Sequence, residues 1–324
     1  MRAYIVRRLM MVLPMMIGIT LISFAIIHLA PGSPTQAMTD LNPNVSPESI
    51  VKLRQMYHLD EPIYIQYWLW LKKVAVLDFG DSFSQDARPV LDKILERLPI
   101  TLLINILSLA VIFLISIPIG VLSATHQYSY FDRIASLFVF FGFSMPTFWF
   151  ALLLMILFGV WLDWLPISGV VSMNHANLSP YGKFMDYCTH LLLPVSMSAL
   201  TSLAGMSRFT RQSMLEVIRQ DYVTCARAKG LSERTVIYKH ALKNATLPII
   251  TLIALSIPGL IGGSVIFETI YSIPGTGQLF YQAVMGRDYP LVMGSLVIMA
   301  FLTLFANLLA DVSYAMVDPR IHYE

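Results

Sequence analysis

The sequence predicts an all-α, polytopic membrane protein with six transmembrane helices and with the N- and C-termini in the cytoplasm. Two observations carry this prediction: the composition, and the spacing of six apolar stretches. Of the 324 residues, 56% are hydrophobic and only 13% are charged, and the mean hydropathy is +0.65. Soluble domains carry about 25% charged residues. The bilayer is therefore the predicted solvent of most of this chain.

Each predicted span is a stretch without Asp, Glu, Lys or Arg, and about 20 apolar residues are needed to cross a hydrocarbon core of about 30 Å. The first stretch follows Arg2, Arg7 and Arg8, as a signal peptide would. Its apolar run is longer than that of a signal peptide and lacks a convincing cleavage site, so we interpret it as a retained span. The fourth stretch is the shortest and can continue helically beyond Ser207. The six stretches are 9–30, 98–125, 134–162, 191–207, 245–267 and 289–310.

The distribution of Lys and Arg predicts the orientation, because short cytoplasmic loops carry an excess of these residues. The N-terminus, the loop near Arg133, residues 208–243 and the tail with Arg320 together hold thirteen basic residues. The two short loops on the opposite side hold only Lys183 and Arg287. Both termini are therefore predicted to face the cytoplasm.

The long loop between the first two stretches, residues 31–97, is external in this orientation. Acidic residues slightly outnumber basic ones in it, and it is rich in Tyr and Trp. This aromatic surface predicts a small helical cap near the membrane interface. Residues 46–49 look like a helix start, with Pro47 at the first helical position.

Several kinds of chemistry have no matching pattern in the sequence. It has no phosphate-binding loop of the form G-x-x-x-x-G-K-[ST], so ATP, if it drives this protein, is predicted to bind another polypeptide. The centres of the six stretches hold no charged residue, and the histidines lack metal-ligand spacing. His28, near a span end, is interpreted as an interfacial side chain. No metal, catalytic group or nucleic-acid surface is predicted.

The most informative feature is a polar segment between the fourth and fifth stretches, residues 208–246, called the basic segment below. Residues 208–248 hold eight basic and three acidic side chains. Good helix formers without Pro or Gly fill residues 208–229. Gly230 can take the left-handed conformation that ends a helix, and Ser232 can cap a second helix over about residues 233–244.

This pattern predicts two helices hinged at a glycine, which would offer a partner one compact protruding surface. The small residues Cys225, Ala226 and Ala228 are expected to leave room for the partner to approach. The alternative is a solvated basic loop that obeys the positive-inside rule or contacts anionic lipid headgroups.

Several runs of residues resemble one known family. Residues 220–232, followed by 240–245 and Leu247-Pro248, resemble the "EAA" coupling segment of ABC-importer permeases, and more closely the B-type permease of oligopeptide and dipeptide importers. The chain has Thr224-Cys225-Ala226 where the general pattern begins Glu-Ala-Ala, and Leu247-Pro248 comes farther after Gly230. Supporting runs extend over essentially the whole chain: 4–9, 30–34, 78–82, 144–149, 274–277, 287–290 and 318–320.

The resemblance implies a type I ABC-importer permease fold and a non-catalytic subunit in the cytoplasmic membrane of a bacterium or archaeon. A second homologous permease subunit, two ABC ATPase subunits and an extracytoplasmic substrate-binding protein are the implied partners, together with membrane lipid. This chain itself is expected to bind no cofactor, while ATP and Mg lie on the partner subunits. The residues implied in coupling to the ATPase are Thr224, Cys225, Ala226, Arg227, Ala228, Lys229, Gly230, Leu231 and Ser232.

The resemblance also divides the chain into four parts. Residues 1–30 form the cytoplasmic N-terminus and first span, and residues 31–97 form the external helical loop. Residues 98–315 form a five-span core that includes the cytoplasmic coupling segment 208–246. Residues 316–324 form a cytoplasmic tail.

The resemblance implies a peptide as the cargo. Spans without ionisable groups also suit substrates that are recognised through backbone and general shape. Nickel chelates and glutathione, which close relatives move, fit the same description. Two competing hypotheses remain. The chain could be a self-sufficient channel or secondary carrier, or a receptor that only senses a binding protein.

Two further groups of residues are candidates for roles in transport. Gate or hinge residues, for which ordinary helix packing is the alternative, are Pro258, Gly259 and Gly263. Contacts at the outer mouth, for which helix capping or interface solvation is the alternative, are Asp163, Glu268 and Asp288.

Overall fold

The structure, a computed structural model, describes residues 2–29 and 60–317, and its regular elements there are helices. The predicted all-α class is confirmed for these residues. The expected helix start at 46–49 and the runs at 30–34 and 318–320 lie outside them. The α-helices, numbered in chain order, are α1 Arg2–Leu29, α2 Ile63–Ala75, α3 Val90–Thr125, α4 Tyr130–Ser144, α5 Thr147–Met155, α6 Pro180–Ile218, α7 Asp221–Ala228, α8 Glu233–Thr235, α9 Leu242–Ser256, α10 Val265–Ile270, α11 Thr276–Met285 and α12 Tyr289–Val317.

Three described helices are individually long and apolar enough to cross a membrane, and they are α1, α3 and α12. Three bent pairs of helices raise the number of candidate spans to as many as six if each pair counts as one span. The first, second and sixth predicted stretches therefore each correspond to one helix. The other three are bent or broken, for reasons that lie in individual residues.

The third predicted stretch is not one continuous helix. Helix α4 ends at Ser144, Met145 is extended with φ −100° and ψ 137°, and α5 starts after Pro146. The two helical arms differ in direction by 103°. Proline pushes the preceding residue out of the helical region and lacks a backbone N–H, so the chain turns at Met145-Pro146. A π-helical segment, Ile156–Trp161, completes the second arm.

Helix α6 is longer than the fourth predicted stretch at both ends. Its 39 residues start after Ser179, whose hydroxyl accepts a hydrogen bond from the Gly182 N–H, and Pro180 occupies the first turn. A serine cap and a proline in the first turn both favour the start of a helix. The helix runs well beyond Ser207, as expected, with a bend of 50° between residues 180–200 and 202–218.

The fifth predicted stretch is correct only in its first half. Helix α9 ends at Ser256, a 3₁₀ turn covers Pro258–Leu260, and α10 starts at Val265. Pro258 has no N–H to continue the ladder, which explains the end of α9. Pro248 is tolerated inside α9, where the helix bends by 44°.

The chain forms two compact units. The first consists of Met1–Thr101, Ile261–Val265 and Gly275–Glu324, and the second of Leu102–Leu260 and Ile266–Pro274. In the first unit α1 and α12 pack antiparallel, since Arg8 pairs with Asp311 at 3.0 Å while Phe24 packs on Met293.

Helix α2, in the described part of the predicted external cap, packs against α1 in the first unit. The Thr20 and Tyr67 hydroxyls lie 3.0 Å apart, and Phe24 contacts both Tyr67 and Trp70. His28 stacks on Phe24 with ring centroids 4.0 Å apart and lies 3.2 Å from the Gln66 side chain. These contacts hold the His28 ring between α1 and α2.

In the second unit α3 and α6 approach closely at Gly120. A Cβ atom at this position would lie 2.5 Å from Thr210 Cβ and 2.9 Å from the backbone nitrogen of Arg211. Thr210 is completely buried. Only glycine therefore fits this crossing without a backbone shift.

Replacing Gly120 with alanine is expected to destabilise the second unit by about 1–3 kcal/mol, the usual cost of overpacking. Thermal unfolding of the purified protein in detergent measures the effect. Gly18→Ala in α1 is the matched control, because a Cβ there would meet nothing within 4 Å. Equal stability of the two variants would contradict the close crossing.

Candidate functional site

The basic segment contains the helix–turn–helix arrangement that the sequence predicts around Gly230. Helix α7 ends at Ala228, the Gly230 N–H donates to the Arg227 carbonyl at 2.9 Å, and Gly230 has φ +76°. A Cβ on Gly230 would meet nothing within 4 Å. The glycine is therefore required by its left-handed backbone, not by a close approach.

Two side-chain contacts fasten this turn. The Ser232 hydroxyl accepts a hydrogen bond from the Thr235 N–H at 3.4 Å and lies 2.9 Å from the Thr235 hydroxyl, so Ser232 caps α8 as predicted. The Arg227 guanidinium donates to Glu233 at 2.8 Å across the turn, which raises the pKa of Arg227. The pair is exposed, so it contributes about 0–1 kcal/mol and mainly selects one turn geometry.

A buried apolar cluster holds the turn against the ends of α3 and α6. It is completed by the π-helical segment Val236–Ala241 and the start of α9. The basic segment is thus a packed extension of the helices, not a loose loop. The buried members of the cluster are Val121, Ala124, Met214, Val223, Ala226, Val236, Ala241 and Ala245.

Eight of the nine residues predicted to couple to a partner have exposed side chains or, for Gly230, an exposed backbone. Ala226 does not fit the expectation that it leaves room for a partner. It is only 6% exposed and faces the buried cluster, because it lies three residues after buried Val223 on the same side of α7. The exposed surface includes two larger apolar side chains, Tyr222 and Leu231.

The predicted continuous helix over residues 208–229 is wrong at one point. Helix α6 ends at Ile218, and Gln220 is extended with ψ 148° before α7 begins. The available signal was Asp221, because acidic residues are favoured in the first turn of a helix. No sequence pattern indicated the π-helical segment or the 2.9 Å hydrogen bond from the Asn244 side chain to the Tyr222 hydroxyl.

A cavity of about 560 Å³ lies in the second unit between α3, α6 and the end of α9. Its described lining combines apolar side chains with hydroxyl and amide groups and holds no Asp, Glu, Lys, Arg or His. The polar members are Asn105, Ser108, Ser198, Ser202 and Ser256.

The candidate hinge lies at the broken end of α9 and borders this cavity. The Asn105 amide nitrogen donates to the Leu260 carbonyl at 2.7 Å, which satisfies a carbonyl at the end of the 3₁₀ turn. Gly259 and Leu260 line the cavity. Sequence reasoning did not identify Asn105, because its partner is 155 residues away.

Gly259 and Gly263 do not lie on one helix, which the alternative of ordinary helix packing would require. The first belongs to the 3₁₀ turn, and the second to the non-helical residues before α10. Instead, in the first unit the backbone of Gly263 packs against Gly277, where a Cβ would lie 3.0 Å from the Gly263 carbonyl carbon.

The three acidic candidates for the outer mouth have different environments. Asp288 is only 4% exposed, and its carboxylate accepts hydrogen bonds from the Ser82 hydroxyl and, at 3.2 Å, from the Leu291 N–H. It therefore caps α12, which was the alternative reading. Glu268 is also buried, at 5% exposure, whereas Asp163 is exposed. Burial removes Asp288 and Glu268 from direct contact with cargo in this conformation.

Two of the family-like runs, 78–82 and 287–290, meet in the first unit through a polar network. Ser82 donates to Asp288, and the Lys93 ammonium donates to Ser82 at 3.0 Å and to Asp86 at 2.7 Å. The hydrogen bond from Lys93 is the main cause that lowers the pKa of Asp86 to about 2, and a hydrogen bond from Ser84 adds to it.

This lowered pKa predicts a small acid sensitivity of the first unit. Since the pKa of Asp86 is lower when folded, its contribution is present above about pH 4 and is lost as the pH falls towards 2. Asp86 is 44% exposed, so the effect is at most about 0.5 kcal/mol. Thermal unfolding of wild type and Asp86→Asn should differ at pH 6 and converge as the pH falls to about 2. A difference in stability that does not change with pH would contradict this prediction.

Helices long enough to cross a membrane, a cavity lined by uncharged residues and a packed, exposed basic turn define a class: helical proteins with candidate membrane spans. Residues 116–323 match the family described as "Binding-protein-dependent transport system inner membrane component", and residues 1–105 match the corresponding N-terminal family. The chain belongs to this family of transporter permeases.

Relatives share the full length of the chain. It is 44% identical over 323 residues to the oligopeptide transport system permease protein AppB of Bacillus subtilis (strain 168), with both chains fully covered. It is 36% identical to the dipeptide transport system permease protein DppB of Alkalihalophilus pseudofirmus, again with full coverage. It is also 36% identical to DppB of Escherichia coli (strain K12), with 99% of each chain covered.

Proposed function

We propose that this chain is a permease subunit of an ATP-driven, binding-protein-dependent importer of peptides. In this proposal it crosses the cytoplasmic membrane six times, with both termini and the basic segment in the cytoplasm. It pairs with a second homologous permease, two ATPase subunits bind at the basic segments, and an extracytoplasmic binding protein delivers the peptide. The observation that carries the proposal is the rigid, exposed turn at Gly230 in a chain of this family.

The packing of the basic segment supports a mechanical role. The buried cluster joins α7 and the π-helical segment to Val121 of α3 and Met214 of α6. These same helices line the uncharged cavity farther along their length. Since close-packed interiors transmit displacement, a push on the exposed turn moves the cavity walls. ATP hydrolysis on a partner would drive alternating access in this way.

The cavity lining supports a peptide as the cargo. Hydroxyl and amide groups such as Ser202, Ser256 and Asn105 can exchange hydrogen bonds with the peptide backbone, which every peptide shares. Without fixed charges, the lining places little constraint on the charge of the peptide side chains. Selectivity is then left to the binding protein.

Cysteine chemistry offers a direct test of the docking role. The chain has two cysteines, both free and exposed, so Cys188→Ser leaves Cys225 of the basic segment as its only thiol. A thiol-directed photo-crosslinker on Cys225, activated in cells that are importing peptide, is expected to capture a subunit with an ATP-binding motif, identified by mass spectrometry. The matched control, Cys225→Ser with the crosslinker on Cys188, is expected not to capture it.

Uptake measured in the same cells tests the cargo. Labelled dipeptide and oligopeptide are expected to enter and to compete with each other, whereas glutathione and a nickel chelate should compete poorly. Efficient uptake with no captured ATPase would refute the coupling role. Flux through liposomes that contain this chain alone, without ATP, would instead support a self-sufficient carrier.

A further inference from the structure

A second cavity, of about 630 Å³, lies in the second unit between α3, α4 and α6, and the transport proposal does not use it. Two guanidinium groups line it, those of Arg208 and Arg211 on α6, together with the exposed hydroxyl-bearing residue Ser136 on α4. Its remaining wall combines apolar side chains, including Val139 and Phe140, with three further serines, Ser123, Ser144 and Ser207.

This cavity and the uncharged cavity lie on opposite sides of α6. At about 100° per residue, Ser202, Gly205 and Met206 fall on one side of the helix, and Arg208 and Arg211 fall on the other. If the uncharged side faces the path of the peptide, the arginine side faces away from it.

The charges around this second cavity do not cancel. Arg211 donates two hydrogen bonds to Asp132, at 2.7 and 2.9 Å, which neutralises one guanidinium. For Arg208, no hydrogen-bond or ion-pair partner lies among the residues that the structure describes, and its side chain is exposed. One positive charge therefore remains at the mouth of this cavity.

We propose that this cavity binds the headgroup of an anionic membrane phospholipid, with the phosphate at Arg208 and Ser136 and an acyl chain along Val139 and Phe140. Arginine forms strong, charge-assisted hydrogen bonds with phosphate oxygens. The lipid would lie between α4 and α6, beside the helix that carries the basic segment.

The position along the helices suits a lipid headgroup. The polar turn before α4 ends at Ser129, which caps that helix, and Asp132 in the first turn of α4 pairs with Arg211. Arg208 precedes Arg211 by about one turn of α6, a position from which a long arginine side chain can reach phosphate groups.

The apolar surface next to the cavity supports an acyl chain as the second part of the ligand. Neighbouring α4 side chains are exposed in the isolated chain, including Phe140 at 64%, Leu137 at 55% and Phe141 at 49%. A free phosphate ion would use the arginine and leave this surface uncovered, whereas a phospholipid uses both.

The test titrates delipidated full-length protein in detergent with phosphatidylglycerol, phosphatidylcholine or inorganic phosphate, and counts bound ligand by native mass spectrometry. We expect phosphatidylglycerol to bind about fivefold more tightly than phosphatidylcholine, the preference that one arginine near a lipid surface supplies. Arg208→Gln should abolish this preference. Arg219→Gln, an exposed arginine at the end of the same helix and outside the cavity, should retain it.

Ser136→Ala gives an independent check that does not change the charge. Loss of its hydrogen bond should weaken phosphatidylglycerol binding by about threefold. The proposal is overturned if Arg208→Gln retains the preference, or if Arg219→Gln loses it equally, which would indicate general surface charge. It is also overturned if inorganic phosphate competes as well as the lipid does, because the site would then hold a free anion.

Discussion

Gly230→Val is expected to reduce peptide uptake at least about tenfold while the chain still inserts into the membrane. Gly230 has φ +76°, and a left-handed conformation costs an ordinary residue about 1–2 kcal/mol, with β-branched residues the worst case. A cost of 1.4 kcal/mol corresponds to about a tenfold change in population. The turn would therefore abandon its native geometry and displace Leu231 and Ser232 from the docking surface.

Two substitutions separate backbone conformation from side-chain bulk. Gly230→Asn adds a side chain but tolerates the left-handed region, so it is expected to retain most of the uptake. Gly18→Val places the same bulk in open space on α1 without a positive φ, so it should transport normally. Uptake and the amount of membrane-inserted protein are measured together for each variant.

The pattern of the results distinguishes the possible explanations. Normal uptake by Gly230→Val would remove the mechanical role of the turn. Equal loss in the valine and asparagine variants would indicate that a partner approaches Gly230 too closely for any side chain. Loss of crosslinking at Cys225 together with loss of uptake would attribute the defect to docking.

Much of this turn could be predicted because its causes are local. The features that shape the turn lie within a few residues of one another. They are a glycine at the end of a helix, a serine three residues before the threonine whose N–H it caps, and small residues on α7. The break in the third stretch also has a local cause, Pro146. This proline is visible in the sequence, but its effect on the helix was underestimated. A run of apolar residues indicates membrane depth but does not reveal whether the helix is continuous.

What the sequence did not reveal depends on contacts between distant residues. Asp288 was a candidate contact at the outer mouth with helix capping as the alternative, and the hydrogen bond from Ser82, which is 206 residues away, could not be foreseen. Ala226 and Cys225 look equally small in the sequence, but only Ala226 faces the cluster formed by α3 and α6. In the sequence Asn105 is one of many polar residues, and only the fold places the Leu260 carbonyl beside it.

Arg211→Ala is expected to produce the largest loss of stability, about 3–5 kcal/mol, because it strands a buried carboxylate. Asp132 is only 4% exposed at its side chain, against 27% for Arg211. Its carboxylate also accepts a hydrogen bond from the Tyr128 N–H at 2.9 Å, where Tyr128 has φ +67°. The Asp132 carboxylate therefore organises both the pairing of α4 with α6 and the turn before α4.

The exposure of the two partners predicts an asymmetry between their single substitutions. Asp132→Ala leaves an arginine that can reach water, so it should cost less than Arg211→Ala, which leaves the carboxylate unpaired. The double variant should cost less than the sum of the two. Arg211→Lys, which keeps the charge but not the paired N–H geometry, should fall between wild type and Arg211→Ala. Unfolding in detergent measures all four, and equal costs for the two alanine variants would mean that the carboxylate is solvated in the membrane protein.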